Sequence, residues 1–195
     1  EMIRDQALSV SGLLVRKVGG SPARPYELAV SFKPLAPDEG EGLYRRSLYT
    51  FWKRTAPAPV MMSLDASKRD ICVVKRERTA SPLQSLVLLN DPQLLEAARV
   101  VGQRMVRRHG DDTDALVEEM FRLLISRLPS EKERDIITRL FQEQVEYFQE
   151  HEDLAGKFME TGKAPRVEDL AVARVAGAGV LASALMNFDE AVIRR

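Results

Sequence analysis

The sequence predicts a mainly α fold. The expected form is an irregular helical bundle of about five to seven helices, with a Pro/Gly-rich, loop-rich N-terminal third and at most a small β element. Three observations lead there. From residue 81 onward, helix-start signals (Ser81-Pro82, Asp91-Pro92, Ser130 with Glu133) stand ahead of apolar residues spaced three and four apart. Between residues 19 and 42, Gly19, Gly20, Pro22, Pro25, Pro34 and Pro37 break any regular period. The charge is also segregated. Residues 44–78 hold nine Lys/Arg against three Asp/Glu, and residues 109–162 hold six against fourteen, in a chain whose 29 basic and 29 acidic residues cancel.

Met2–Leu14 places Ile3, Ala7, Val10 and Leu14 at helical spacing and predicts a short amphipathic helix. The following Pro/Gly stretch reads as a long loop, with Leu28, Val30 and Phe32 alternating as in one short strand. In Leu43–Thr55, Leu48, Phe51 and Trp52 fall on one helical face, while the Thr and aromatic content suits a strand equally well. Pro57 and Pro59 end that element. Arg69–Arg78 fits a short strand closing in a charged turn. Helices are then expected from Pro82 to Leu89, from Pro92 to about Arg108, and after Asp112 or Thr113 with Leu116, Met120, Leu123, Leu124 and Leu128 inward. A capping box at Ser130/Glu133 opens the next, with Ile137, Leu140, Phe141, Val145 and Phe148 inward. A polar stretch with Gly156, Gly162 and Pro165 precedes a last helix, Glu168–Met186, whose Ala176-Gly-Ala-Gly179 run permits close helix approach.

At 195 residues the chain fits one domain, 1–195, with a basic–aromatic, loop-rich segment 1–80 and a helical bundle 81–195. Its 45% hydrophobic and 30% charged content is that of a globular protein able to bury a core without disulfide or metal staples. Zero net charge supplies no global field for nucleic acid or an anionic membrane. Cys72 is the sole cysteine, which excludes an intramolecular disulfide, and a small buried thiol is its expected role. Glu1–Leu14 lacks the apolar core of a secretory signal, and the missing initiator Met is what an excised piece would show. Val175–Phe188 is too short and too rich in Gly and Ala to span a bilayer.

Tyr44-Arg-Arg-Ser-Leu-Tyr-Thr-Phe-Trp-Lys-Arg-Thr55 resembles the hallmark of the planctomycete PSD-one domain family, a domain of unknown function. So does Lys75-Arg-Glu-Arg-Thr-Ala-Ser-Pro-Leu-Gln84 running into Leu88-Leu-Asn-Asp-Pro92. The likeness extends from Ser9–Leu13 to Met186–Glu190, with Ser67 where the family usually has Pro and Ala80-Ser81 where it usually has Asn-Thr. The resemblance implies the C-terminal part of a large exported protein, periplasmic or at the cell surface. It also implies upstream domains as partners, one of them cytochrome-c-like and carrying haem c. This chain has no Cys-x-x-Cys-His of its own and is expected to hold no cofactor.

For chemistry, the planar forks of Arg45, Arg46, Arg54, Arg69, Arg76 and Arg78 suit a carboxylate, sulfate or phosphate on a ligand or an acidic partner. The same arginines can instead pair with Asp65, Asp70, Glu77 and backbone carbonyls, as long ordered loops require. Tyr44, Tyr49, Phe51 and Trp52 could stack a sugar or pack a core. Asp65 follows an apolar run that would raise its pKa. The candidate ligand-binding set is therefore Arg45, Arg46, Trp52, Arg54, Asp65, Arg76 and Arg78, with no catalytic residue assigned. His109 and His151 lack ligand-spaced partners, and Asp111, Asp112 and Asp114 read as helix capping. The expected role is an interaction or scaffold module contacting an anionic ligand or partner domain. The alternative is part of a site acting on polysaccharide, completed by upstream domains.

Overall fold

The structure is a computed structural model, and it describes residues 1–27, 35–53, 55, 57–69, 71–76 and 79–192. Among these residues there are nine α-helices: α1 (Met2–Ser11), α2 (Pro59–Ser63), α3 (Pro82–Asn90), α4 (Pro92–His109), α5 (Thr113–Ile125), α6 (Glu131–Glu150), α7 (Glu152–Met159), α8 (Val172–Met186) and α9 (Asp189–Val192). The short α2 and α9 add to seven helices of eight residues or more, so the mainly α expectation holds. The chain divides into two compact units, residues 1–9 with 13–87 and residues 10–12 with 88–195.

The second unit follows its sequence grammar closely. The Asp91 carboxylate accepts from the N–H groups of Gln93 and Leu94 at 3.1 and 3.0 Å and starts α4, with Pro92 in the first turn. Asp112 caps α5 through the Ala115 N–H at 3.0 Å. Ser130 and Glu133 close the capping box of α6. Apolar faces of α4, α5, α6 and α8 meet in one core around Val101, Met105, Leu116, Met120, Phe121, Phe141, Val175 and Leu181. The Gly-containing run of α8 does what its composition suggests. A Cβ on Gly102 would lie 2.7 Å from the Gly179 nitrogen, so α4 and α8 touch backbone to backbone.

Three expectations for this unit are corrected. Leu128 is 55% exposed, because α5 stops at Ser126, whose left-handed backbone (φ 66°) breaks the register that would have turned Leu128 inward. The stretch after α6 is not wholly loop: α7 buries Ala155 and Met159, with Leu154 and Phe158 packed beside Phe148 and Ala176. Finally, α8 begins at Val172, four residues later than the periodicity suggests, and Asp169 lies before it in an ion pair with Arg107 at 3.2 Å. A buried polar clamp holds the α7–α8 connection. Arg99, fully buried, donates to the carbonyls of Thr161 and Ala164 at 3.0 and 2.8 Å, and Glu96 accepts from the N–H groups of Lys163 and Ala164.

The first unit is mostly irregular. The buried stripe of α1 is Arg4, Ala7, Leu8 and Ser11, rotated from the expected Ile3–Ala7–Val10–Leu14 face because a buried arginine occupies it. Among the described residues of 43–55 there is neither an α-helix nor a strand. The chain there forms 3-10 turns at Gly40–Tyr44 and Ser47–Tyr49, plus isolated bridges joining Val15 to Arg45 and Ala23 to Thr50. Ile71–Arg76 forms no strand, in contrast to expectation, since a ladder needs a partner and none pairs with it among the described residues. The alternation at Leu28, Val30 and Phe32 lies outside the described residues. A small apolar cluster of Ala58, Met61 and Ala66 takes Tyr26 and Trp52 at its margin.

Candidate functional site

The basic–aromatic block is built on two arginines aimed at backbone oxygens. Arg4 is 2% exposed; it donates to the carbonyls of Leu43 and Arg45, both at 2.8 Å, and to the Ser47 hydroxyl at 3.1 Å. Arg45, buried in turn, donates to the Ser21 carbonyl at 2.7 Å and to the carbonyls of Lys17 and Gly19. Its guanidinium lies 4.1 Å from the centre of the Tyr49 ring, and the Tyr49 hydroxyl accepts from the Gly19 N–H at 3.0 Å. Asp5 accepts from the Ser47 N–H at 2.8 Å, and Asp38 accepts from Arg24 through both backbone and side chain. An irregular chain cannot satisfy its own carbonyls by a helix or ladder, so a five-donor fork does it instead.

A second arrangement surrounds the segment after α2. Asp65 and Arg69 both sit in the left-handed region, at φ 57° and 59°, uncommon for residues with a Cβ. The Asp65 carboxylate accepts from the Thr79 N–H at 2.6 Å, from the Thr79 hydroxyl and from the Gln84 amide at 3.1 Å. Burial pushes the Asp65 carboxyl up, but those three donors outweigh it and hold the group below the usual aspartate range. This corrects the raised pKa expected from the preceding apolar run. Gln84 and Ser81 also cap each other reciprocally at the start of α3. Arg69 and Arg76 grip the same carboxylate, that of Glu1, at 2.9 and 2.7 Å. Burial raises the Glu1 pKa, and the two guanidinium bonds reverse that and leave it lowered. Arg69 also lies 4.9 Å from the Trp52 ring.

The candidate residues therefore have separate placements. Arg45 is buried on carbonyls, Trp52 is half-buried under Arg69, and Asp65 is occupied by Thr79 and Gln84. Arg76 is tied to Glu1 yet its side chain stays 60% exposed, and Arg46 is exposed. Arg54 and Arg78 lie outside the described residues, as do Asp70 and Glu77. Arg4 was the residue missed; its signal was a basic residue four before Leu8 on a short amphipathic helix. Cys72 is exposed rather than buried, because the segment that carries it packs against no apolar cluster among the described residues.

Beside Asp65 the one hydroxyl in contact is that of Thr79, at 2.8 Å among the described residues, and no group of three or more His, Cys, Asp or Glu side chains that could hold a metal ion converges there or elsewhere among them. In the second unit, His109 Nε2 lies 2.6 Å from Glu119, at one side of a surface depression of about 620 Å³ lined by Arg108, Ala115, Glu118, Glu119, Arg122 and Leu123. His151 stacks on Tyr147 with ring centres 4.3 Å apart. Among the described residues no helix is long and apolar enough to cross a membrane. No curated protein and no solved structure matches the chain. One family model does, over residues 1–141, its description reading "Protein of unknown function (DUF1553)", and by that match the chain belongs to the PSD1 family.

Proposed function

We propose that this chain is a non-catalytic interaction module whose first unit presents a cationic surface to an anionic partner. The observation that carries the reading is the division of labour among the basic residues. Arg4 and Arg45 are buried on backbone carbonyls and build the frame. Arg46, Lys68, Lys75 and Arg76 keep their charge at the surface. Residues 1–9 and 13–87 together hold fourteen Lys/Arg against nine Asp/Glu, a net of +5. Such a surface steers an acidic partner toward it and weakens with salt.

The wider context is proposed on the sequence resemblance: a planctomycete, exported, multidomain protein whose upstream region supplies a cytochrome-c-like domain with its haem c. The partner is then an acidic face of those upstream domains or an anionic glycan. A role in polysaccharide cleavage has less support, since the Asp65 carboxylate is occupied by three donors and Arg69 covers Trp52.

The test is binding of the full chain to immobilised poly-glutamate, sulfated dextran and poly-lysine over a range of salt. Poly-glutamate should bind best, with affinity falling as salt rises. The double variant Arg46→Glu, Lys68→Glu should lower it about tenfold or more. Equal binding to the acidic and basic polymers, indifferent to salt, would overturn the reading.

A further inference from the structure

The segment after Arg69 carries the observation that the cationic surface alone does not explain. Ile71, Val73 and Val74 are 72%, 49% and 109% exposed, and Cys72 between them is exposed too. Four consecutive strand-forming residues in water are unfavourable unless something covers them. Their backbone is equally open. No N–H or C=O of residues 71–76 shares a backbone–backbone hydrogen bond among the described residues. Burying an apolar strip while leaving its peptide groups unpaired would be costly, so whatever covers it must supply hydrogen bonds as well.

The two ends of the segment are fixed. Arg69 and Arg76 hold the one Glu1 carboxylate at 2.9 and 2.7 Å, and Thr79 just beyond is fastened to Asp65. The described residues 71–75 lie between these two arginines, and their backbone, bent at Ile71, Val74 and Lys75, straightens on pairing with a second strand. Lys68 and Lys75 are exposed beside the strip, and neither has a carboxylate within ion-pair distance among the described residues.

We propose that Ile71–Arg76 is an acceptor strand, to which an extended partner segment alternating acidic and β-branched residues adds edge to edge. Main-chain bonds supply affinity, the valine and isoleucine faces bury apolar surface, and Lys68 and Lys75 select an acidic donor. The inference rests on the interaction-module reading and names the partner class for that surface.

The experiment uses the full chain and a labelled synthetic peptide alternating glutamate with valine, followed by fluorescence anisotropy. A lysine–valine peptide and poly-glutamate serve as comparisons. The glutamate–valine peptide should bind about tenfold or more tighter than the lysine–valine peptide and should slow amide exchange across residues 71–76. Val73→Pro removes one main-chain donor and Val74→Ser removes a fully exposed apolar side chain, both without changing charge; each should weaken the peptide about tenfold while leaving poly-glutamate binding intact. Equal binding of the two peptides, or unchanged peptide binding in both variants, overturns the acceptor strand even if poly-glutamate still binds. A concentration-dependent dimer abolished by Val73→Pro would overturn it in favour of self-association. Loss of poly-glutamate binding in the unmodified chain would instead sink the broader reading.

Discussion

The two units solve the same problem, satisfying a buried backbone, by different means. Residues 88–195 put most of their peptide groups into helices and use side chains to fill the space between them, so Phe121, Phe141 and Leu181 sit where the period of three and four directs. Residues 13–87 contain little regular structure beyond α2 and the start of α3, and there guanidinium groups act as replacement ladders: Arg4 and Arg45 together reach five backbone carbonyls. The second unit also has its buried arginine, Arg99, and it works where the helices stop, at residues 161–165. A basic run in a sequence can therefore be internal scaffolding, and where the chain is irregular that role competes directly with ligand binding.

If the comparison is right, each unit should be breakable through its own device. The largest effect is expected from Gly102→Val. The new side chain would drive into the α8 backbone, which cannot rotate away, and should cost roughly 3 kcal/mol or more in urea denaturation followed by helical circular dichroism. Arg4→Met comes next, at roughly 2–4 kcal/mol, since it leaves two buried carbonyls and a hydroxyl without their donor. Trp52 is the only tryptophan and belongs to the first unit, so its fluorescence should report that loss most directly. An Arg4→Met protein with an unshifted Trp52 transition would refute the frame role. Asp91→Ala should cost about 1 kcal/mol by removing the α4 cap, a loss that Asp91→Ser should largely restore.

A pH effect of smaller size is expected at α6. The Glu133 carboxyl is held at about 2 by bonds from Arg127, then from the Ser130 N–H and hydroxyl. A carboxyl lowered in the folded state adds stability above its ordinary value of 4.5, and this is lost as pH falls toward about 2. Denaturation midpoints measured between those limits should decline in the unmodified chain and decline less in Glu133→Gln. Smallest of all, Arg46→Ala should change stability by less than about 0.5 kcal/mol, while still weakening poly-glutamate binding.

How much was legible depended on the range of the interaction. Caps at Asp91 and Ser130 are decided within four residues and were readable as written, while the structure settles the choice between Asp112 and Thr113 on Asp112. Leu128 failed because the period was carried two residues past a left-handed Ser126 that no composition rule marks. Helix α7 was missed because it is only eight residues long with Gly156 inside it, and its stability comes from Phe148 and Ala176 against Ala155 and Phe158. The candidate site was partly legible. The block Tyr44–Arg78 stands out by charge and aromatic content, yet nothing local distinguishes Arg45, buried, from Arg46, exposed. Arg45 is buried because its guanidinium is held by the carbonyls of Lys17, Gly19 and Ser21, contacts made across more than twenty residues of chain.

By itself the sequence determined that this protein is mainly helical, where most of its long helices start, that α4 and α8 could meet closely, and that one segment is basic and aromatic. These follow from propensity, capping and period, which act over a single turn or two. Tertiary structure alone decided that Arg4 would be the hub of the first unit, that Asp65 would be a capped carboxylate with a lowered pKa, and that Ile71–Val74 would face water. The first two of those outcomes depend on groups 14 to 43 residues away in the chain, such as Ser47 for Arg4 and Thr79 for Asp65. A residue's neighbours in space set its solvation, and solvation is what turns a charge into a staple, a cap or a binding surface.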